Sequence, residues 1–344
     1  MPRFLGLGNG SDGVIDLSSY TPLSYSCSGS SGSYSLTATG SFSAGQRLFI
    51  IQSRGSGVGE YEDNQVVSYS PGTVSLLFPL EHTYTDSGAS QAQVIIVKQA
   101  SGVNGSITVP AWNGDVGGVF VMACNGIFNG SVNAYARGFM GGQSDHYDGK
   151  YGENHLAPSG GGYQTDLYGI NWGNGGGGGH GSNCTDCTNE HGNGAGGGNG
   201  TPGGNGTRYP GDVWGGHDPY GGTTSGNANL TNMTFGGGGG GTGNVNNGAL
   251  WFRHDAMEGA NGGGIIVVYA GEIVSSALLN ANGGEARERE DARMGYGGNG
   301  AGGSILVKAR KVSIGSSRIL ATGGTYGPGG SSIVTGKQIG RAHV

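Results

Sequence analysis

The chain has 344 residues, 80 of them glycine, with 12% charged residues and a formal net charge of −6. Glycine stands several times above its usual ~7% without a Gly-X-Y period, which excludes collagen. Scarce Lys and Arg argue against a phosphate-backbone ligand, so no nucleic-acid partner is expected, and no run approaches the ~18 apolar residues that a membrane span requires.

At the start, Met1–Gly6 lacks the apolar core of a secretory signal. A truncated N-terminus, a virion component released by lysis and an intracellular protein all accommodate that. Cys27, Cys124, Cys184 and Cys187 do not make a disulfide framework for a chain of this length. Residues 1–40 predict short strands at Val14-Ile15-Asp16-Leu17 and Tyr34–Ala38, between Gly/Ser turns. Residues 41–109 predict a small antiparallel barrel or sandwich. Its strands are expected at Leu48–Ile51, Asn64–Tyr69, Val74–Phe78 and Gln93–Val97, with a tight turn at Ser70-Pro71-Gly72-Thr73.

From residue 110 onward the chain is organised by a repeated unit. Gly117-Gly118-Val119-Phe120-Val121 returns as Gly263-Gly264-Ile265-Ile266-Val267 and as Gly302-Gly303-Ser304-Ile305-Leu306. Each is followed by a second short apolar piece: Val132-Asn133-Ala134, Leu279-Asn280-Ala281 and Ile319-Leu320-Ala321. Strand, turn, short strand and glycine corner make one coil of a solenoid, and a coil buries its apolar face only against stacked neighbours. The expected fold is therefore all-β: a parallel β-helix-like solenoid with an antiparallel barrel or sandwich inserted. Its first coil lies at 110–142 and further coils at 262–338.

Residues 143–261 form a glycine-rich insert. A flexible linker is one reading. The other is a bundle of polyproline-II-like segments, in which bare glycine backbones approach closely and pair laterally. Aromatic residues favour order here, since Tyr151, Tyr163, Tyr168, Trp172, Trp214, Tyr220 and Phe235 all fall in the insert. The last six residues, 339–344, match one reading frame of a common sequencing-library adapter; a non-native tail without structural role is expected there.

The pattern PAWNGxxGGVFV at 110–121, GFMGG at 138–142, GGGIIVVYA at 262–270 and GAGGSILVKA at 300–309 resembles glycine-rich β-helical surface and adhesin-type proteins of bacteria and their phages. The long glycine runs are similar to the polyproline-II sandwich of tail-tip adhesins of some tailed phages. The stretch from Phe42 to Leu80 resembles small barrels inserted into right-handed β-helix proteins. The resemblance implies a receptor-binding protein acting outside the cell, on a cell surface or a virion, through exposed loops. A fibre partner or homo-oligomer is compatible with it.

His180, Cys184, Cys187 and His191 offer four borderline ligands of the type tetrahedral zinc takes, although the spacing matches no common finger. A local disulfide or two free thiols compete with that reading. Asp145, Asp148 and Glu153 place carboxylates in a glycine loop, where calcium or a solvated acidic turn is expected. Arg253-His254-Asp255 and the alternating charges of 285–293 read as solvated charge runs. No nucleophile elbow, HExxH or phosphate-binding loop is present. Exposed rings at Tyr163, Tyr168, Trp172, Trp214 and Tyr220 suit stacking on sugars, with packing under loops as the alternative. The leading expectation is a non-enzymatic adhesin for a cell-surface glycan or receptor. A polysaccharide lyase or hydrolase of β-helix type and a structural matrix or coat protein are the alternatives.

Overall fold

In the computed structural model, the structure describes residues 2–143, 149–158, 173–176, 193–206, 219–242, 257–274, 276–286, 296–324 and the backbone of 338–339. Among them the architecture is all-β, and no helix is long and apolar enough to cross a membrane.

Six strands close an antiparallel barrel: β2 (Ser24–Ser28), β3 (Ser35–Ala38), β4 (Arg47–Arg54), β5 (Tyr61–Ser70), β6 (Thr73–Leu76) and β7 (Gln91–Ala100). They run in the order β7-β2-β3-β6-β5-β4, and pairing of β4 with β7 shuts the ring. Two of these strands come from the first 40 residues, a segment that sequence patterning sets apart from the barrel. Side chains alternate across the wall. Leu48, Ile50, Val94 and Ile96 fill the barrel, while Phe49, Ile51, Ile95 and Val97 leave it for a second core. Burial on both faces is why Leu48–Ile51 reads as an unbroken apolar run.

The repeated units stack in register. β10 (Val119–Phe128), β12 (Ile265–Ile273) and β14 (Ser304–Val312) form a parallel ladder in which Val119 faces Ile265 and Ile265 faces Ser304. A second parallel sheet is built from β9 (Ser106–Thr108), β11 (Ser131–Asn133), β13 (Leu278–Asn280) and β15 (Ile319–Leu320), with Ile107, Val132, Leu279 and Ile319 in one row. The two sheets enclose one core that includes Phe120, Met122, Ile266, Val268, Ile305 and Val307 on one side and Val132 and Leu279 on the other. The opposite face of the β10 ladder presents Val121, Val267, Tyr269 and Leu306 to the barrel's outer wall. β7 joins the two parts, because its last residues, Lys98–Ala100, pair parallel with Met122–Cys124.

One end of the stack is closed by the N-terminal region. β1 (Val14–Asp16) pairs parallel with β8 (Gly102–Asn104), and the Asp16 carboxylate caps a 3-10 turn by accepting from the Ser18 N–H. That turn drives Leu17 into the core at 1% exposure. The backbone of β16 (Gln338–Ile339) adds to β14 opposite Ser304 and Ile305, so the ladder takes up the first residue of the suspected tail.

Outside β12 and β13, the described glycine segments of residues 138–303 join no sheet. Gly236–Gly241 runs through their centre, wholly buried. Its amides follow a strict order. Gly236, Gly239 and Thr242 donate to the carbonyls of Gly263, Ala260 and Met257; Gly237 and Gly240 donate to Gly198 and Ala195; Gly238 and Gly241 donate to Glu153 and Lys150. Each neighbour is thus met at every third residue. Carbonyls of Gly237 and Gly240 accept in turn from Ala301 and Gly298. None of Gly236–Gly241 has a positive φ, so handedness does not demand glycine here. Close approach does: a Cβ on Gly236, Gly238 or Gly239 would strike the carbonyl oxygen of Ala301, Met140 or Gly298.

Candidate functional site

The glycine segments have a root and a far end. At the root, Met233 and Phe235 sit in the core shared with the barrel, and Met233 N–H donates to Gly59. Phe235 packs on Trp112 and Phe139, with ring centroids 5.2 Å away in both cases. Seven residues on, Thr242 marks the far end and pairs with Met257. The same end holds Lys150 paired with Gln143, Gly206 with Pro219 and Gly194 with Tyr296. The described flanks of 144–148, 207–218 and 243–256 thus meet as hydrogen-bonded pairs at this end.

Tyr163, Tyr168, Trp172 and Trp214 lie outside the described residues, as do His180, Cys184, Cys187 and His191, and Asp145, Asp148 and Arg253-His254-Asp255. Tyr220 is the proposed ring that can be placed. It follows Pro219 at the far end and is 54% exposed. Two other aromatics of the insert are structural, since Tyr151 and Phe235 are buried. Among the described residues no group of three or more His, Cys, Asp or Glu is arranged to hold a metal.

Glu153 corrects the sequence reading of a solvated acidic turn. It is buried and receives an ion pair from Arg54 of β4, both carboxylate oxygens accept from Trp112 Nε1 at 2.9 and 3.0 Å, and Oε2 also accepts from the Met140 N–H at 3.0 Å. Its own carbonyl accepts from Gly238. One residue thereby fastens the glycine bundle to the barrel, and its oxygens are not free for calcium. Sequence gave no signal for this, because Arg54 lies 99 positions away.

A second buried cluster escapes sequence reading. Arg47 pairs with Asp63 and lies 4.8 Å from the Tyr269 ring centroid. The N-terminal arm is strapped over it. Leu5 N–H donates to Asp63, Gly6 carbonyl accepts from Arg47, and Phe4 stacks near Tyr269 and Lys308. Beside it Arg3 pairs with Glu62 at 2.7 Å. Burial pushes the Glu62 carboxyl up to about 7, against the pull of the Glu81 N–H and the Arg3 charge.

Two carboxylates also meet near the barrel mouth. The Gln91 amide, oriented to donate, bridges Asp86 at 2.6 Å and Asp115 at 3.0 Å. Burial, then the Asp115 charge, raises the Asp86 carboxyl. The Ser26 hydroxyl donates to Asp115 as well, which makes this a hydrogen-bonded surface brace.

Comparison of the chain with family models, with curated proteins and with solved structures finds no match.

Proposed function

We propose that this chain is a non-enzymatic surface or virion adhesin that binds a cell-surface glycan or receptor through the connections at the far end of its glycine bundle. The observation that carries the reading is the pairing of Gln143 with Lys150, Gly206 with Pro219 and Thr242 with Met257 at one end of a bundle whose backbone is hydrogen-bonded throughout its centre. A rigid frame with variable connections at its tip is the usual division of labour in recognition proteins. The three-residue hydrogen-bond period around Gly236–Thr242 supports reading the bundle as polyproline II, which has three residues per turn. The register of the glycine-led repeats supports reading the two parallel sheets as coils of a β-solenoid. Such a protein acts outside the cell, on a cell surface or a virion, alone, with a fibre partner or with further copies of itself.

The test exchanges 177–192 and 207–218 for Gly/Ser linkers of equal length and measures binding to glycan arrays and to intact cells. Binding lost while the thermal midpoint holds supports the proposal. Wild-type binding by the doubly exchanged chain would overturn it.

A further inference from the structure

The outward face of β9, β11 and β13 carries a groove of about 400 Å³, a volume within the range of small-ligand sites. Alternation sends Ile107, Val132 and Leu279 toward the core, so the groove receives the residues on either side of them. They form two rows across the coils: Ser106, Ser131 and Leu278, then Thr108, Asn133 and Asn280. Adjacent strands set the step within a row at about 4.8 Å.

The chemistry of this lining is narrow. It contains hydroxyls, amides and aliphatic carbon and no charged group, on a chain whose formal charge is −6. Asn133 is held in place, because its Oδ1 accepts from the Tyr135 N–H at 3.1 Å and from Asn280 Nδ2 at 3.3 Å. Its own amide nitrogen, and the hydroxyls of Ser106, Thr108 and Ser131, have no hydrogen-bond partner among the described residues. Those groups are offered outward in a fixed array.

This array selects among ligands. An anionic polymer finds no cation here. A polypeptide strand laid over this face finds no main-chain partner, because β11 and β13 are paired along both edges and side chains alone face out. A ligand that brings its own hydroxyl donors and acceptors, with a C–H face for Leu278, matches both the polar rows and the aliphatic wall. We infer that the groove is a binding site for an uncharged oligosaccharide lying across the coils, separate from the far end of the bundle. No carboxylate lines it, so it binds without the acid pair that glycoside hydrolysis needs.

The experiment titrates the full chain by calorimetry with cello-, malto-, manno- and xylo-hexaose, and with an oligogalacturonate as the charged counterpart. One of the uncharged hexaoses binds, Asn133→Ala weakens it about three- to tenfold, as loss of a hydrogen bond implies, and Ser131→Arg abolishes it. Both positions are at the surface, and an unchanged thermal midpoint verifies the fold; should Ser131→Arg unfold, Asn133→Ala alone decides. Exchange of 207–218 for a linker leaves this binding intact, which separates the groove from the far-end reading. Absence of binding by all four hexaoses, binding by the oligogalacturonate alone, or affinity untouched by Asn133→Ala would overturn the inference.

Discussion

Around Ile266 and Val267 side chains fill the interior on both faces of a strand, and the backbone pairs only along its two edges. Around Gly236–Gly241 there are no side chains, and the backbone itself pairs outward in several directions. Both regions are buried to a similar degree. The ladder is stabilised by apolar area at about 25 cal/mol per Å². The bundle relies on hydrogen bonds with a net worth of about 0.5–1.5 kcal/mol each, against a glycine ordering cost of about 1 kcal/mol per residue relative to alanine. Its surplus is small, so it depends on where it is rooted. Trp112, Phe139, Phe235 and the Arg54–Glu153 pair supply that root. The ladder should be sensitive to atoms removed, and the bundle to atoms added and to its fastening.

The largest effect is expected at the fastening. Glu153→Ala leaves Arg54 buried without a counter-charge and the Trp112 N–H without an acceptor, a loss of about 3–5 kcal/mol. Urea unfolding measures it, and a cost below about 1 kcal/mol would show that the bundle holds without its latch. Next comes Gly238→Ala. One added methyl meets the Met140 carbonyl, for a loss of about 2–3 kcal/mol and faster hydrogen exchange at the neighbouring glycine amides. Ile266→Val removes one methylene from the ladder core and costs about 1 kcal/mol. The comparison between the two regions breaks if Ile266→Val proves more damaging than Gly238→Ala.

The smallest effect concerns pH. Glu62 titrates at about 7 in the fold, against 4.5 as its ordinary value. The folded state therefore holds this proton more tightly than the unfolded chain does. Its stabilising contribution is complete below pH 4.5 and is lost as pH rises through about 7. Glu62→Gln flattens that part of the stability–pH curve; an unchanged slope between those limits would assign the dependence elsewhere.

Much of the scaffold was legible because it is periodic. The glycine pairs ahead of Val119, Ile265 and Ser304 announced three equivalent strands, and these stack residue on residue. The barrel strands β4–β7 were legible from short apolar runs between turns. β2 was missed, although Tyr25 and Cys27 alternate with serines, because the run is short and mostly polar. Glu153 was misread because a carboxylate among glycines looks solvated until Arg54 and Trp112 are brought to it.

The amino-acid sequence by itself determined the three equivalent parallel strands and the need for bare backbone in the glycine segments, since both follow from local pattern: β-branched runs, the glycines ahead of them and missing side chains. Tertiary structure alone decided which carbonyl each glycine amide meets and that outward Ser, Thr and Asn side chains align into a groove. Glycine runs have no side-chain code to specify partners. Their pairing is set by the docking of distant residues such as Phe235, Trp112 and Glu153, which local pattern does not encode.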